Sequence, residues 1–305
     1  MDIGIMIEGQ MGLNWDRWKR IAETVESCGF YGLFRSDHFT NPNPPNMDSL
    51  ECWVSLTWIA SHTERIAFGP LVTPASFRHP VFTARMAKDV DNLSGGRLTL
   101  GIGAGWQERE HALFGFDLLD MDQRFDRFEE SAEVISRLLR DEDPVQFNGE
   151  FYNLQDAVLL PPPSKNGRPP ILIGGNGVNR TLPLAAKYAN EWNGNFIPPD
   201  RFQELNQLLD GMIQERGRDP EDVVRSIMHR IIFGRDQEEL NFMLKNTNRS
   251  QAELLKMGVI LGTPSEIKAQ IDRFAQAGAQ RIMLQWIELD NMDRLEGLAS
   301  ALNLL

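Results

Sequence analysis

The stretch Gly95-Gly96-Arg97-Leu98-Thr99-Leu100-Gly101-Ile102-Gly103-Ala104-Gly105-Trp106 decides how this chain folds. It reads as a tight turn, a short buried strand over 97–102, and a glycine-rich loop. Glycines at a strand end let backbone come close to a flat or phosphorylated ligand, because no Cβ intervenes. Outward from it, strand and helix signals alternate. Apolar strands are predicted at 2–7, 31–35 and 66–72 before it, and at 171–173, 191–196, 226–233 and 281–286 after it. Between them lie helical stretches. Asn14 caps one that Gly29 ends, Pro80 opens another, and Phe125, Phe128, Ala132, Ile135 and Leu138 stripe a third. Eight strands with helices between them favour a (β/α)8 TIM barrel over an open doubly wound sheet. On a barrel, the loops after the strands carry the active site.

Two segments depart from the repeat. Val145-Gln146-Phe147, Asn148-Gly149 and Phe151-Tyr152-Asn153 read as a hairpin with an Asn-Gly turn, inserted near 144–162 in a single barrel domain that spans the chain. The repeat resumes after Pro161-Pro162-Pro163. The region 236–256 reads as a mobile helical excursion.

Bulk properties narrow the function. A net charge of −12 argues against a general nucleic-acid binder but leaves room for an anionic ligand held by local amides and arginines. No apolar run approaches the roughly 20 residues of a membrane span. Asp2 to Ile7 is too short and strand-like for a signal peptide, so a cytoplasmic protein is expected, and the sequons at Asn179 and Asn248 then carry little meaning. Cys28 and Cys52 lack partners at zinc-ligand spacing and read as buried free thiols. No G-x-S-x-G elbow, P-loop or metal-binding pair of His residues is present.

Chemistry-bearing residues gather after the strands. Asp37-His38 follows the second strand; an imidazole there can move a proton near neutral pH, with the carboxylate orienting it, though a capping Asp beside a loop His is an equal reading. Gly101-x-Gly-x-Gly lacks the third glycine of a dinucleotide fingerprint, since Gln107 and Glu108 stand there, so approach to a flat ring suits it better than a pyrophosphate turn. Gly174-Gly175-Asn176-Gly177 precedes a helix with Arg180 early in it, a natural site for phosphate, the alternative being a loop whose glycines serve geometry only. Thr73 could bond a ligand and Glu8 could face the site. Trp106 and Trp286 could wall a pocket, although core packing is the commoner use of Trp. His62, His79 and His111 read as structural, and His229 as a hydrogen-bonded interior residue.

Ser36-Asp37-His38-Phe39, Thr73-Pro74 through Arg78-His79-Pro80, Ser94-Gly95-Gly96-Arg97 through Gly105-Trp106, and Ile173-Gly174-Gly175 through Asn193 together resemble the bacterial luciferase-like monooxygenase family over nearly the whole chain. That resemblance implies a (β/α)8 barrel with insertions that binds reduced FMN or the deazaflavin coenzyme F420. Asp37-His38, the Trp after the glycine loop, and Gly-Gly-Asn-Gly with Arg180 look most like the F420 branch. It further implies His38 beside the ring as proton partner and Asp37 orienting it or touching cofactor. Thr73, Gly103, Ala104, Gly105 and Trp106 would line the ring pocket. Gly174, Gly175, Asn176 and Gly177, with Arg180, would hold the phosphate. By the same resemblance a non-prolyl cis peptide falls near Pro70-Leu71. One departure stands out. The sugar-phosphate dehydrogenases of the branch carry an acid directly after the glycine loop, where this chain has Trp106, with Glu108 and Glu110 further on; this speaks against sugar phosphate as substrate.

The expectation is therefore an oxidoreductase moving a hydride between F420 and a small organic substrate. An FMN-dependent two-component monooxygenase is the alternative, and a non-catalytic flavin-binding barrel a third reading. A homodimer is a modest expectation from the family.

Overall fold

The computed structural model describes residues 1–162, 168–245, 247 and 249–305, so Pro163 and the Asn248 sequon lie outside the described residues. The elements run in order β1 (Asp2–Ile7), α1 (Trp15–Ser27), β2 (Gly32–Arg35), α2 (Cys52–His62), β3 (Ala67–Pro70), β4 (Thr73–Pro74), α3 (Pro80–Ser94), β5 (Leu100–Gly103), α4 (Glu108–Phe114) and α5 (Met121–Arg140). There follow β6 (Val145–Asn148), β7 (Asn153–Ala157), β8 (Ile171–Gly174), α6 (Thr181–Tyr188), β9 (Glu191–Asn195) and α7 (Pro199–Gln214). The chain ends with β10 (Val224–Phe233), α8 (Gln237–Lys245), α9 (Gln251–Lys256), β11 (Ile260–Gly262), α10 (Pro264–Gln276), β12 (Arg281–Trp286) and α11 (Met292–Ala301).

Neighbouring strands lie side by side in the order β3-β2-β1-β12-β10-β9-β8-β5-β4, every pair parallel, with β11 extending beside the end of β10. The ring closes where Phe68 of β3 bridges Leu98: the Phe68 amide donates to the Arg97 carbonyl (3.1 Å) and the Thr99 amide to the Phe68 carbonyl (2.8 Å). β3 and β4 are thus two halves of one stave, and the (β/α)8 TIM barrel has eight. Here the structure corrects the sequence reading. The third strand is broken at Leu71 and Val72, and the regular part of the fourth begins at Leu100 rather than Arg97. The non-prolyl cis peptide is Leu71–Val72, one residue beyond the expected place.

Closure depends on two glycines. A Cβ on Gly69 would collide with the Thr99 carbonyl, and one on Gly101 with the Pro70 carbonyl. Neither neighbour can yield, because each is backbone of the adjoining stave. Arg97 then locks the rim, donating to the carbonyls of Ala60, Thr63, Ile66 and Ser94 at 2.7–3.0 Å, which ties the C-terminal ends of α2 and α3 together. On the opposite side of α2, the buried Trp18 indole donates to Ser55 O (3.0 Å). The fully buried Arg35 donates to Ser55 Oγ and Leu50 O (2.7 Å each) and to Ser36 O (3.1 Å). Arg35 thereby fixes the loop that begins at Ser36.

The hairpin β6–β7 is antiparallel, but its turn is not the two-residue Asn-Gly turn read from the sequence. Four residues, 149–152, connect the strands, because the Glu130 carboxylate of α5 accepts the amides of Glu150, Phe151 and Tyr152 (2.7–3.1 Å) and dictates a wider loop. Residues 237–256 hold α8 and α9, the second opened by a Ser250–Glu253 capping box. They seat Leu240 and Leu254 with Ile232, Val259 and Leu261 in a small apolar cluster apart from the main core.

His229 points outward from β10 against Phe274 and Phe196. It is fully buried, and its ring nitrogens find no hydrogen bond of good geometry, contrary to the satisfied residue expected. Burial pushes its pKa down to about 4, only partly opposed by the backbone of Gly258 and Ile197.

Two outcomes follow. Gly101→Ala should lower the urea midpoint with little change in m, a loss of about 2–3 kcal/mol from overpacking against rigid backbone. For His229 the folded state stays neutral while the unfolded chain protonates near its ordinary value of about 6.5. The unfolded state therefore binds more protons between those values, and stability falls as pH drops from about 6.5 towards about 4. His229→Phe should flatten that part of the stability–pH curve relative to the parent; parallel curves in chemical denaturation would refute this.

Candidate active site

The C-terminal ends of the staves open into a cavity of about 750 Å³, within the range of small-molecule and cofactor sites. Its floor is made by alternate inward side chains such as Met6 and Met228. Its walls come from Leu71, Val72, Pro74, Gly103, Ala104, Gly105 and Trp106 on one side and Gly174, Gly175 and Thr181 on the next. Trp106 stands at the rim, 59% exposed, edge-on to the His38 ring at 5.7 Å between centroids.

His38 lines the cavity, and its Nδ1 lies 2.7 Å from Glu110 Oε1. The other carboxylate oxygen accepts the Phe39 amide (2.9 Å). Glu110 is completely buried, one helical turn beyond the glycine loop on α4. An ionised carboxylate only accepts, so Nδ1 carries the hydrogen and Nε2 is left to the cavity. Burial alone would lower the imidazole pKa. The hydrogen bond and charge of Glu110, with smaller contributions from Glu8 and Asp37, outweigh it and raise the pKa above its ordinary value.

Asp37 does not make the contact expected of it. Its carboxylate accepts Thr73 Oγ1 (2.6 Å) and Arg78 (2.5 and 3.3 Å), and Arg78 continues to Glu51 (2.6 Å). Asp37 and Thr73 are both buried behind the cavity wall rather than lining it; the buried Asp37 charge is stabilised by the guanidinium. The residue that orients His38 is Glu110.

The second glycine loop divides. Gly174 and Gly175 reach the cavity, while Asn176, Gly177 and Arg180 do not line it. The Asn176 amide donates to Asn195 O (2.8 Å) and Oδ1 (2.7 Å) and accepts the Asn195 amide (3.1 Å), which clamps the loop to β9. Gly177 O accepts the Leu182 amide (2.9 Å), and Arg180 is spent on an ion pair with Asp122 and a stack over Phe125. Trp286 is core, its indole donating to Glu288 O (2.9 Å). His111 is structural, as expected: its Nδ1 donates to Gln107 O (2.7 Å), so Nε2 accepts from Ser76 Oγ (2.8 Å). Cys28 and Cys52 are free and buried.

Glu8 faces the cavity inside a chain of polar contacts. It accepts from Gln285 (2.6 Å) and Gln10 (2.7 Å), and Gln10 in turn accepts from Ser36 Oγ (2.7 Å). Sequence reasoning noted Glu110 without giving it a role, and missed Gln285, Arg124 and Arg230. Glu110 had a signal, an acid in the first turn of a helix just past the glycine loop, but 72 residues separate it from its partner. The acid that reaches His38 thus stands on α4, beyond Trp106, rather than directly after the glycine loop.

The luciferase-like monooxygenase family model matches residues 1–246, which include every residue that lines the cavity except Gln285 and Ile287. The chain belongs to the luciferase-like monooxygenase family. Members similar to it include the F420-dependent glucose-6-phosphate dehydrogenase of Amycolatopsis mediterranei (strain U-32), 27% identical over 296 residues that cover 86% of each chain. The FMNH(2)-dependent dimethylsulfone monooxygenase of Pseudomonas putida is 24% identical over 77% of this chain and 67% of its own. Among solved structures, an F420-dependent secondary alcohol dehydrogenase in complex with an F420-acetone adduct superposes with a TM-score of 0.82 at 18% identity, covering 98% of this chain and 97% of that one. The protein is thus an oxidoreductase of the luciferase-like family, whose relatives use F420 or FMN. Among the described residues, no helix is long and apolar enough to cross a membrane.

If Glu110 raises the His38 pKa, Glu110→Gln should keep a hydrogen-bond partner but lose the charge. Ring-proton NMR titration should then show His38 losing its proton at lower pH than in the parent; an unmoved titration would show that the carboxylate does not govern it.

Proposed function

We propose that this protein transfers a hydride between coenzyme F420 and a small organic substrate, with His38 handling the accompanying proton. The observation that carries the reading is the His38–Glu110 pair, which presents Nε2 to a largely apolar cavity of about 750 Å³. The site fits a flat tricyclic ring. One wall is glycine and alanine backbone at 103–105 with Val72 and Pro74 beside it, and Gly174 and Gly175 give close approach further along. Val72, Pro74, Gly103, Ala104, Gly105 and Trp106 would hold the ring. Gly174 and Gly175, with Thr181, would meet the phosphate, and Asn176, Gly177 and Arg180 would shape that loop from behind.

Bound F420 supplies two-electron hydride carriage. The protein's part is positioning and proton transfer. His38 holds a proton at Nε2, gives it to a substrate oxygen as that substrate is reduced, and takes it back from a hydroxyl in the reverse direction. Glu110 keeps Nδ1–H in place and stabilises the imidazolium, a positioning role. Asp37, locked by Thr73 and Arg78, holds the loop that carries His38. The apolar floor around Met6, Met228 and Phe128 keeps bulk water from the reacting groups.

The similarity to an FMNH(2)-dependent monooxygenase favours a second reading, reduced FMN with oxygen in the same cavity. Titration with F420 and, separately, FMN, followed by tryptophan fluorescence, separates the two. Trp106 should report binding, and Trp106→Phe should remove most of the signal. Micromolar F420 affinity with weak FMN binding supports the proposal; the reverse preference supports the monooxygenase. In turnover with F420, His38→Ala should lower kcat by about 10²–10⁴ while leaving the F420 dissociation constant within a few-fold. Full activity without His38, or binding without turnover in every variant, would refute the catalytic role.

A further inference from the structure

Arg230 stands out among the cavity residues. It is the last position of β10 paired with β12, lies opposite Gln285 in register, and lines the cavity. It is half-buried, and its Nε is shielded from solvent without a hydrogen-bond partner. Among the described residues no carboxylate lies within ion-pair distance of it. The contrast with Arg124, the other cavity arginine, is informative. Arg124 spends its donors on the carbonyls of Leu118, Leu119 and Gly105 (3.0–3.5 Å) and so braces the glycine loop. Glu8, the one acid lining the cavity among the described residues, is already engaged by two amides. Among the described residues, nothing in the wall neutralises Arg230.

A guanidinium half out of water without a counter-ion is costly, and a ligand anion would remove that cost. Its position says which ligand. In strand order around the barrel, β10 lies opposite the β3–β4 stave that contributes Val72 and Pro74, and it is separated by β9 from β8 and the Gly174 loop. Arg230 therefore faces the reacting space from the side opposite the proposed ring wall, two staves along from the phosphate loop. The cavity it enters is lined by the apolar Met6, Phe196, Met228 and Ile287, together with the side-chain amides of Gln285, Asn193 and Asn195. Desolvation disfavours the Arg230 charge, and nearby Arg249 disfavours it further, which adds to the advantage of an incoming anion.

Resting on the hydride-transfer reading of the same cavity, we propose that Arg230 is a specificity-determining residue that binds the carboxylate of an apolar organic acid, the substrate class of this enzyme. The charged end pairs with the guanidinium, and the hydrocarbon body lies against the methionines and Phe196. A sugar phosphate would offer the guanidinium an anion but no hydrocarbon body for the methionines and Phe196.

The test uses hexanoate, its neutral counterpart hexanamide, and glucose 6-phosphate, each titrated calorimetrically into the full protein with and without F420. Hexanoate should bind at least tenfold more tightly than hexanamide and glucose 6-phosphate. Arg230→Met should abolish that preference, and Arg230→Lys should retain part of it. The F420 dissociation constant should stay unchanged in both variants. Arg230→Met removes an unpaired charge and should leave thermal stability unchanged or higher, so a folding defect cannot mimic the result. Equal binding of hexanoate and hexanamide, an unchanged preference in Arg230→Met, or tighter binding of glucose 6-phosphate overturns the proposal. So does weaker F420 binding in Arg230→Met, which would assign the guanidinium to the cofactor. An Arg230-dependent preference for hexanoate in a protein that binds no F420 would refute the cofactor assignment and leave the anion site standing.

Discussion

The barrel depends on one close approach, that of the third stave to the fourth. Gly69 and Gly101 let the two backbones meet, and the Phe68 bridge to Leu98 turns an open sheet into a ring. Closure has a consequence for chemistry. Beyond the bridge the third stave breaks and resumes at Thr73, which brings Val72 and Pro74 to the cavity and sends the Thr73 hydroxyl the other way, onto Asp37. The same rim puts Gly103 to Trp106 beside them. The steric demand that shapes the barrel therefore also shapes one wall of the site.

A second constraint is electrostatic. The region behind the cavity buries two carboxylates, Asp37 and Glu110, in places where an unpaired charge would be very costly. Each is stabilised differently. Asp37 receives a guanidinium and a hydroxyl and becomes part of the framework. Glu110 receives a backbone amide and an imidazole, and the imidazole is the only one of these partners with a free end in the cavity. The division between structural and functional acid thus follows from which partner can exchange a proton. Arg230 reverses the pattern: among the described residues its charge has no partner.

Much of this architecture was legible from the chain. Short apolar runs with glycine at their ends, alternating with capped amphipathic helices, carry the barrel because burial on both faces of a parallel strand demands such runs. His38, Gly103 to Trp106, Gly174 and Gly175 were legible for the same reason, since their place after a strand puts them at the mouth. The hairpin could be read too, but not its turn, which is set by Glu130 reaching back from the preceding helix, some twenty residues away along the chain. His229 likewise looked like an ordinary satisfied interior residue; only packing shows that Phe274 and Phe196 leave its ring without partners.

Local pattern by itself determined the succession of strands and helices, the family's glycine loops and the face on which they gather. Those depend on periodicity and on backbone freedom, which neighbouring residues encode. Only the tertiary structure decided which acid serves His38, why Asp37, Thr73 and Arg180 turn away, and which arginine is left facing the cavity. Such choices rest on distances between side chains tens of residues apart, and on competition for a limited set of buried partners. Sequence spacing records who is adjacent along the chain, whereas a buried charge is governed by whoever reaches it in space.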